Sequence, residues 1–250
     1  MSDVTQLFGE RASDYASFRP AYPAQLFDWL AANSPDRQRV LDIGCGNGQA
    51  SQALSAHFAQ VLACDSSFQQ LCAVPATSAI QRFAADARRL PLRSSSCDLI
   101  TVAQALHWFA DARFFAEVSR LLRPDGFFCA WCYGLMQINP ALDALIRQLH
   151  GELLEGYWPT GRTMLDNGYR DILTAFAQIR VPEFAIELHW SFQHLLGYLR
   201  TWSAVQRWES EHQQDPVTLF LPQLTAAWGD TGQQHFVRWP LHFVAGYPGN

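Results

Sequence analysis

Residues 40–48 read Val-Leu-Asp-Ile-Gly-Cys-Gly-Asn-Gly, a short apolar strand that runs straight into glycines at every second position. Glycines let a backbone turn tightly and approach a ligand closely. In residues 49–59, Ala50, Ala53, Leu54, His57 and Phe58 fall on one helical face. The turn therefore opens onto a helix start whose first N–H groups have no partner within the helix. A strand, a glycine turn and a helix in this order commit the chain to alternating α/β architecture.

The rest of the first half repeats the alternation. Helical patterns occupy 23–33, with Pro23 fitting a first turn, and 111–122. Strand-like runs occupy 40–44, 61–65, 80–86, 97–106 and 127–133, the last preceded by the turn Pro124-Asp125-Gly126. Such an order predicts an α/β fold with a mostly parallel, doubly wound sheet. Ligands then bind at the carboxyl ends of its strands. Residues 134–182 are helical pieces broken by Gly and Pro, too long for a plain connection, and predict a helical cap inserted after the fifth strand. Alternation returns at 184–192, a helix follows at roughly 193–209, and a last run covers 237–244. Two late strands would complete a seven-stranded sheet. Pro240 lacks an N–H, so that strand is expected to be bulged or partly unpaired. The expected organisation is a lid segment at 1–22, a cofactor-binding core at 23–133, the cap at 134–182, and the remainder of the core at 183–250.

The formal net charge is −5 and the cationic residues are scattered. Nucleic-acid binding rests on clustered Lys and Arg, so the balance argues against it. No run approaches the roughly 20 apolar residues of a membrane span, and the polar N-terminus lacks the regions of a signal peptide. A cytoplasmic protein that acts on a small molecule, as monomer or homodimer, is the expectation. The six cysteines are dispersed, mostly in apolar runs, and read as reduced core residues. Cys129 and Cys132 are spaced C-x-x-C, but inside a strand-like run and with no second pair, so no metal site is expected.

Spacing separates the candidate cofactors. A dinucleotide fingerprint is G-x-G-x-x-G, and its third position here is Gln49. Asp65 ends the second strand, where an acid can accept from ribose hydroxyls. Asp86 ends the third, where an acid can accept from an exocyclic amine. Alone, each is also explained as a cap or turn residue. Together, VLDIGCGNG, LACDSS, AADARRLPL and SSSCDLITVAQALHWF resemble the motifs of the class I, Rossmann-like S-adenosylmethionine methyltransferases. RASDYASFRPAYP, QALHWF and TWSAVQRW resemble the trans-aconitate methyltransferase-like branch in particular.

That resemblance implies S-adenosylmethionine as cofactor and assigns roles. Gly44, Gly46 and Gly48, with Cys45, would frame its methionine part, and Asp42 would brace the loop or approach the amino group. Asp65, beside Ser66, would bind the ribose. Asp86 and the Ala87 N–H would bind the adenine, with Gln70 beside it. Gln104 would lie by the methionine moiety. Tyr15 and Arg19 would close over the cofactor from the lid.

Methyl transfer from a sulfonium is mainly a problem of positioning. His107, just past the fourth strand, is the candidate base, or only a packing residue of its loop. His107, Trp108, Trp131, Tyr133, Trp158 and Trp202 are candidates to line the acceptor site, and Arg162 to hold an anionic group. A carboxylic acid oxygen is the favoured acceptor. A nicotinamide-dependent oxidoreductase and a non-catalytic S-adenosylmethionine-binding protein are the competing readings.

Overall fold

The computed structural model describes residues 18–172 and 174–248. In chain order the elements are α1 (Ala24–Asn33), β1 (Arg39–Ile43), α2 (Gln49–Leu54), β2 (Gln60–Asp65), α3 (Phe68–Ala73), β3 (Ile80–Ala84), β4 (Cys97–Ala103), α4 (Ala112–Leu121), β5 (Leu122–Tyr133), α5 (Pro140–Gln148), α6 (Arg162–Asp166), β6 (Ala177–Gln178), β7 (Ala185–Trp190), α7 (Phe192–Arg200), α8 (Ser203–His212), α9 (Pro216–Trp228) and β8 (His235–Tyr247). The chain groups into two compact units. Among the described residues, one comprises 22–134, 163–172, 174–184 and 241–248, and carries the large sheet. The other comprises 18–21, 135–162 and 185–240. Residues 163–184 thus belong with the sheet, and 185–240 with the helical unit.

In the sheet unit the strand order is β3-β2-β1-β4-β5-β8-β6. β1 to β5 are parallel, and β8 runs antiparallel to β5. Strand order reverses between β1 and β4, which makes the carboxyl ends of those two strands the place for a ligand. The central strands β1, β2 and β4 and residues 127–133 of β5 are mostly apolar because both faces are buried, whereas β3 at the edge exposes Gln81 and Arg82. α4 shows how a helix covers them. Phe114, Phe115, Val118 and Leu121 form its buried stripe, and Asp111 caps it by accepting from the Phe114 N–H at 2.9 Å. Phe114 and Phe115 meet Phe128 of β5 edge to face. Residues 123–126 leave the β4–β5 register, as the Pro-Asp-Gly turn requires: Cys97 faces Leu122, whereas Leu99 faces Phe127.

Three expectations change in detail. The late run around 184–192 forms β7, which among the described residues pairs with residues 235–240 of β8, off the main path of the sheet. The edge place beyond β8 is taken by the two residues of β6, too short to be read from sequence. The helix at 193–209 is two helices, broken where Thr201 turns its hydroxyl back onto the Tyr198 carbonyl at 2.6 Å. Pro240 stands opposite Ala185 at the point where β8 changes partners from β7 to β5. In the helical unit α9 packs on α5, α7 and α8. Among the described residues no helix is long and apolar enough to cross a membrane.

Candidate active site

The glycine turn follows β1 at the switch point. Gly44, Gly46 and Gly48 all have positive φ, at +67°, +54° and +84°, a region that L side chains enter only at a cost. A Cβ on Gly44 would lie 2.6 Å from the Ala105 Cβ, and one on Gly48 would lie 2.7 Å from Val74. The first contact fixes the 104–109 loop, beyond β4, against the glycine turn. Gly46 is different. Among the described residues, the nearest group that a Cβ there would meet is Gln70 Oε1, at 3.9 Å. The turn is therefore packed at its two ends and open at its centre, the form of a cradle for a ligand.

Asp65 reaches this turn from β2. Its Oδ2 accepts from the Gly46 N–H at 2.9 Å, and its Oδ1 from the Ser67 N–H at 2.8 Å. The carboxylate therefore orders the cradle and retains lone pairs for hydroxyls. Ser67 also caps α3, accepting from the Gln70 N–H, while Ser66 is exposed beside it. Cys45 is buried, and its N–H donates to the Cys64 carbonyl at 3.0 Å. Burial pushes its thiol far above the ordinary range.

Asp42 braces the turn. It is fully buried, accepting from the Ser51 hydroxyl at 2.5 Å and the Thr101 hydroxyl at 3.1 Å. One carboxylate thereby ties β1 to α2 and β4. Burial raises it to about 6, against the two hydroxyl hydrogen bonds that lower it.

Asp86 is largely exposed at the end of β3. Its Oδ1 accepts from the Arg88 N–H at 2.9 Å, and Ala87 beside it is buried. Gln104 has φ +55° and clamps β5: its Oε1 accepts from the Tyr133 N–H at 3.1 Å while its Nε2 donates to the Tyr133 carbonyl at 3.2 Å. A non-glycine residue in the left-handed region persists only where its surroundings hold it, and the two bonds to Tyr133 do so here. His107 follows in a single turn of 3₁₀ helix, its Nδ1 3.3 Å from the Tyr169 hydroxyl. Trp108 is exposed and its ring lies 4.8 Å from that of His107.

Trp131 and Tyr133 end β5. Trp131 is fully buried, edge-on to Tyr22 and Phe27, so it serves as core packing. Tyr133 is buried as well, and Tyr22 tilts against it. Cys129 and Cys132 are buried free thiols, an odd number of places apart on one strand and so on opposite faces. Sequence reading missed Tyr169, which lies far from every motif. Its only signal is the turn around Gly168.

The helical unit holds the other candidates. Trp158 and Trp202 have ring centroids 5.5 Å apart with His150 against both, and the Trp158 indole donates to the His150 carbonyl at 2.8 Å. The Arg162 guanidinium lies 4.2 Å over the Trp158 ring, and that of Arg19 lies 5.2 Å over Tyr198. Tyr15 lies outside the described residues.

Residues 41–130, the strands and turns just described, match the family model for a methyltransferase domain. A Dictyostelium discoideum protein named as a methyltransferase is 32% identical over 200 residues, covering 78% of this chain and 76% of that one. The chain belongs to the class I S-adenosylmethionine-dependent methyltransferases. A solved structure from Anaeromyxobacter dehalogenans, described as a type II methyltransferase, is similar to this methyltransferase with a TM-score of 0.85 and 38% identity, covering 92% of this chain and 98% of that one. A malonyl-[acyl-carrier protein] O-methyltransferase of a Methylovorus species is 39% identical over 102 residues, 36% of this chain and 34% of that one. The methyltransferase uses S-adenosylmethionine, and the open cradle at Gly46 with the Asp65 carboxylate beside it fits such a group.

Proposed function

We propose that this methyltransferase transfers the methyl group to an oxygen of a small carboxylic acid, in the manner of the trans-aconitate methyltransferase-like branch that its sequence resembles. When bound, S-adenosylmethionine supplies a methyl group on a sulfonium. The protein supplies position. Gly44, Gly46 and Gly48 would hold the methionine part, Asp65 the ribose hydroxyls, Asp86 with the Ala87 N–H the adenine, and Gln70 and Gln104 would flank the two ends. The observation that carries the choice of acceptor is at His107, the ionisable side chain of the loop beyond β4. Its Nδ1 is already engaged by a buried phenol, and an ionised carboxylate needs no base to attack. The relative named for O-methylation of a malonyl group supports the same class.

The test is a turnover panel with methyl-labelled S-adenosylmethionine against carboxylic acids, phenols and amines. Transfer to acids, giving a base-labile ester, is expected. Transfer to phenols or amines alone would sink the proposal. Asp65→Ala is expected to weaken binding of S-adenosylhomocysteine by about 1.5–3 kcal/mol, because hydrogen bonds to a charged group are lost. Calorimetry reads this directly, and unchanged affinity would show that the ribose is held elsewhere.

A further inference from the structure

We infer that Glu117 and Arg120 are positioning residues for the base of the cofactor: as an ion pair on α4 they hold the turn that follows β3, and with it Asp86 and the Ala87 N–H. The inference rests on the adenine role proposed above for that turn and extends it to the side chains behind it.

The turn has little apolar anchorage. Between Asp86 and Ser94 only Ala87 and Leu90 are buried. It closes on itself through the Arg89 N–H, which donates to the Asp86 carbonyl at 2.9 Å. That bond shapes the turn but does not fix where it stands. A segment with so few buried contacts opens easily unless hydrogen bonds tie it to something rigid.

Helix α4 provides those bonds. Its buried stripe seats it on β5 through Phe114 and Phe115. The Leu90 N–H donates to Glu117 Oε1 at 2.7 Å. Arg120 Nη2 donates to the Leu90 carbonyl at 3.2 Å, and Nη1 donates to the Leu92 carbonyl at 2.9 Å and to the Ser94 hydroxyl at 3.3 Å. Leu90 is thereby held by both its N–H and its carbonyl. The pair itself is a fork: Arg120 Nε donates to Glu117 Oε2 and Nη2 to Oε1, both at 2.7 Å. Every N–H of the guanidinium then has an acceptor, a pattern that the compact ammonium of a lysine cannot reproduce.

A second tie reaches the turn nearer Asp86, where Arg88 Nε donates to Asp111 Oδ2 at 2.7 Å. Exposure ranks the two. The Arg88 and Asp111 side chains are 34% and 44% exposed, and an ion pair so open to water contributes little. Glu117 is 11% exposed and its pairing is bidentate, so removing it leaves polar groups of the turn and of Arg120 unmet. Glu117 with Arg120 is therefore the anchor. Hydrogen bonds weaken steeply as their angles open, so a carboxylate and an N–H recognise one edge of a base only from a fixed place.

Calorimetry of S-adenosylhomocysteine against its hypoxanthine analogue, which has a carbonyl where adenine has its amine, reads that recognition directly. A merely structural role would weaken both ligands alike. The parent should prefer adenine by about 10- to 100-fold, and Asp86→Ala should lose most of that preference. Glu117→Ala and Arg120→Lys should each lower it by about 5- to 10-fold. Glu117→Gln, which keeps an oxygen for the Leu90 N–H, should retain more of it than Glu117→Ala. Adding Glu117→Ala to Asp86→Ala should change the preference no further, because the two act through one contact. Urea unfolding in parallel shows which variants are folded, and if Glu117→Ala is not, Arg120→Lys carries the test. A preference lost in Asp86→Ala but kept in Glu117→Ala and Arg120→Lys, whether or not both ligands weaken by the same factor, would overturn this inference alone. A parent without preference, or an Asp86→Ala that keeps it, would overturn the adenine role and the inference with it.

Discussion

Gly44→Ala should unfold this methyltransferase more readily by about 2–5 kcal/mol and abolish tight cofactor binding. Two costs combine. An L residue at φ +67° pays roughly 1–2 kcal/mol for the left-handed conformation. The new methyl group would also stand 2.6 Å from the Ala105 Cβ, and forcing an extra group into a packed site costs about 1–3 kcal/mol. Relief would have to come from the 104–109 loop, which carries Gln104 and His107, so the damage reaches the site and not only the fold. Gly46→Ala is the control. It shares the positive φ, but among the described residues its Cβ would meet only Gln70 Oε1, at 3.9 Å, so the conformational cost of about 1–2 kcal/mol is the one expected. Urea unfolding of the two variants, with calorimetry of S-adenosylhomocysteine, makes the comparison. Equal stability of the two would show that the contact with Ala105 is not what demands glycine.

The second large effect is on pH dependence. Burial raises Asp42 from its ordinary 3.8 to about 6 in the folded chain, a difference corresponding to about 3 kcal/mol. The sign follows from which state holds the proton. Between those two values the folded state binds it and the unfolded state does not, so stability from this group is full below 3.8 and is lost as pH rises through 6. Asp111 and Glu117 are shifted downward by their hydrogen bonds to a helix N–H and to Arg120, and they work in the opposite direction. The clean measurement is therefore a difference. The stability of Asp42→Asn relative to the parent should improve by on the order of 3 kcal/mol between about pH 4 and about pH 7. Denaturation midpoints at the two pH values give it. A difference that does not change with pH would mean that Asp42 titrates normally despite its burial.

The first half of the fold was legible because both of its signals are local. The apolar runs that became β1, β2, β3 and β4 are bounded by turn residues, and the stripe of α4 is visible as Phe114, Phe115, Val118 and Leu121. The glycine turn was legible for the same reason, since three alternate glycines are all left-handed. What escaped depends on partners distant in sequence. β6 is two residues long and exists only because residues 246–247 lie beside it. The burial of Asp42 between Ser51 and Thr101 depends on residues 9 and 59 positions away. Tyr169 has only the turn around Gly168 to signal it, because an aromatic residue gives no warning that its backbone will turn left-handed, and His107 lies 62 positions away.

Strand β8 has a consequence for how the chain is made. It lies downstream of every other strand described, yet its residues 235–240 are the partner of β7 and its residues 241–246 are the partner of β5. On the ribosome, β1 to β5 can pair as they emerge, whereas the outer edge of β5 and the whole of β7 must wait for the same late segment. An open strand edge is a template for association with other chains, and nascent chains expose such edges until their partners arrive. Once made, the two edges stay open until that segment is synthesised, and they close with it. A stop codon just before His235 would leave both open for good, so a small truncation there should produce aggregation out of proportion to the residues lost.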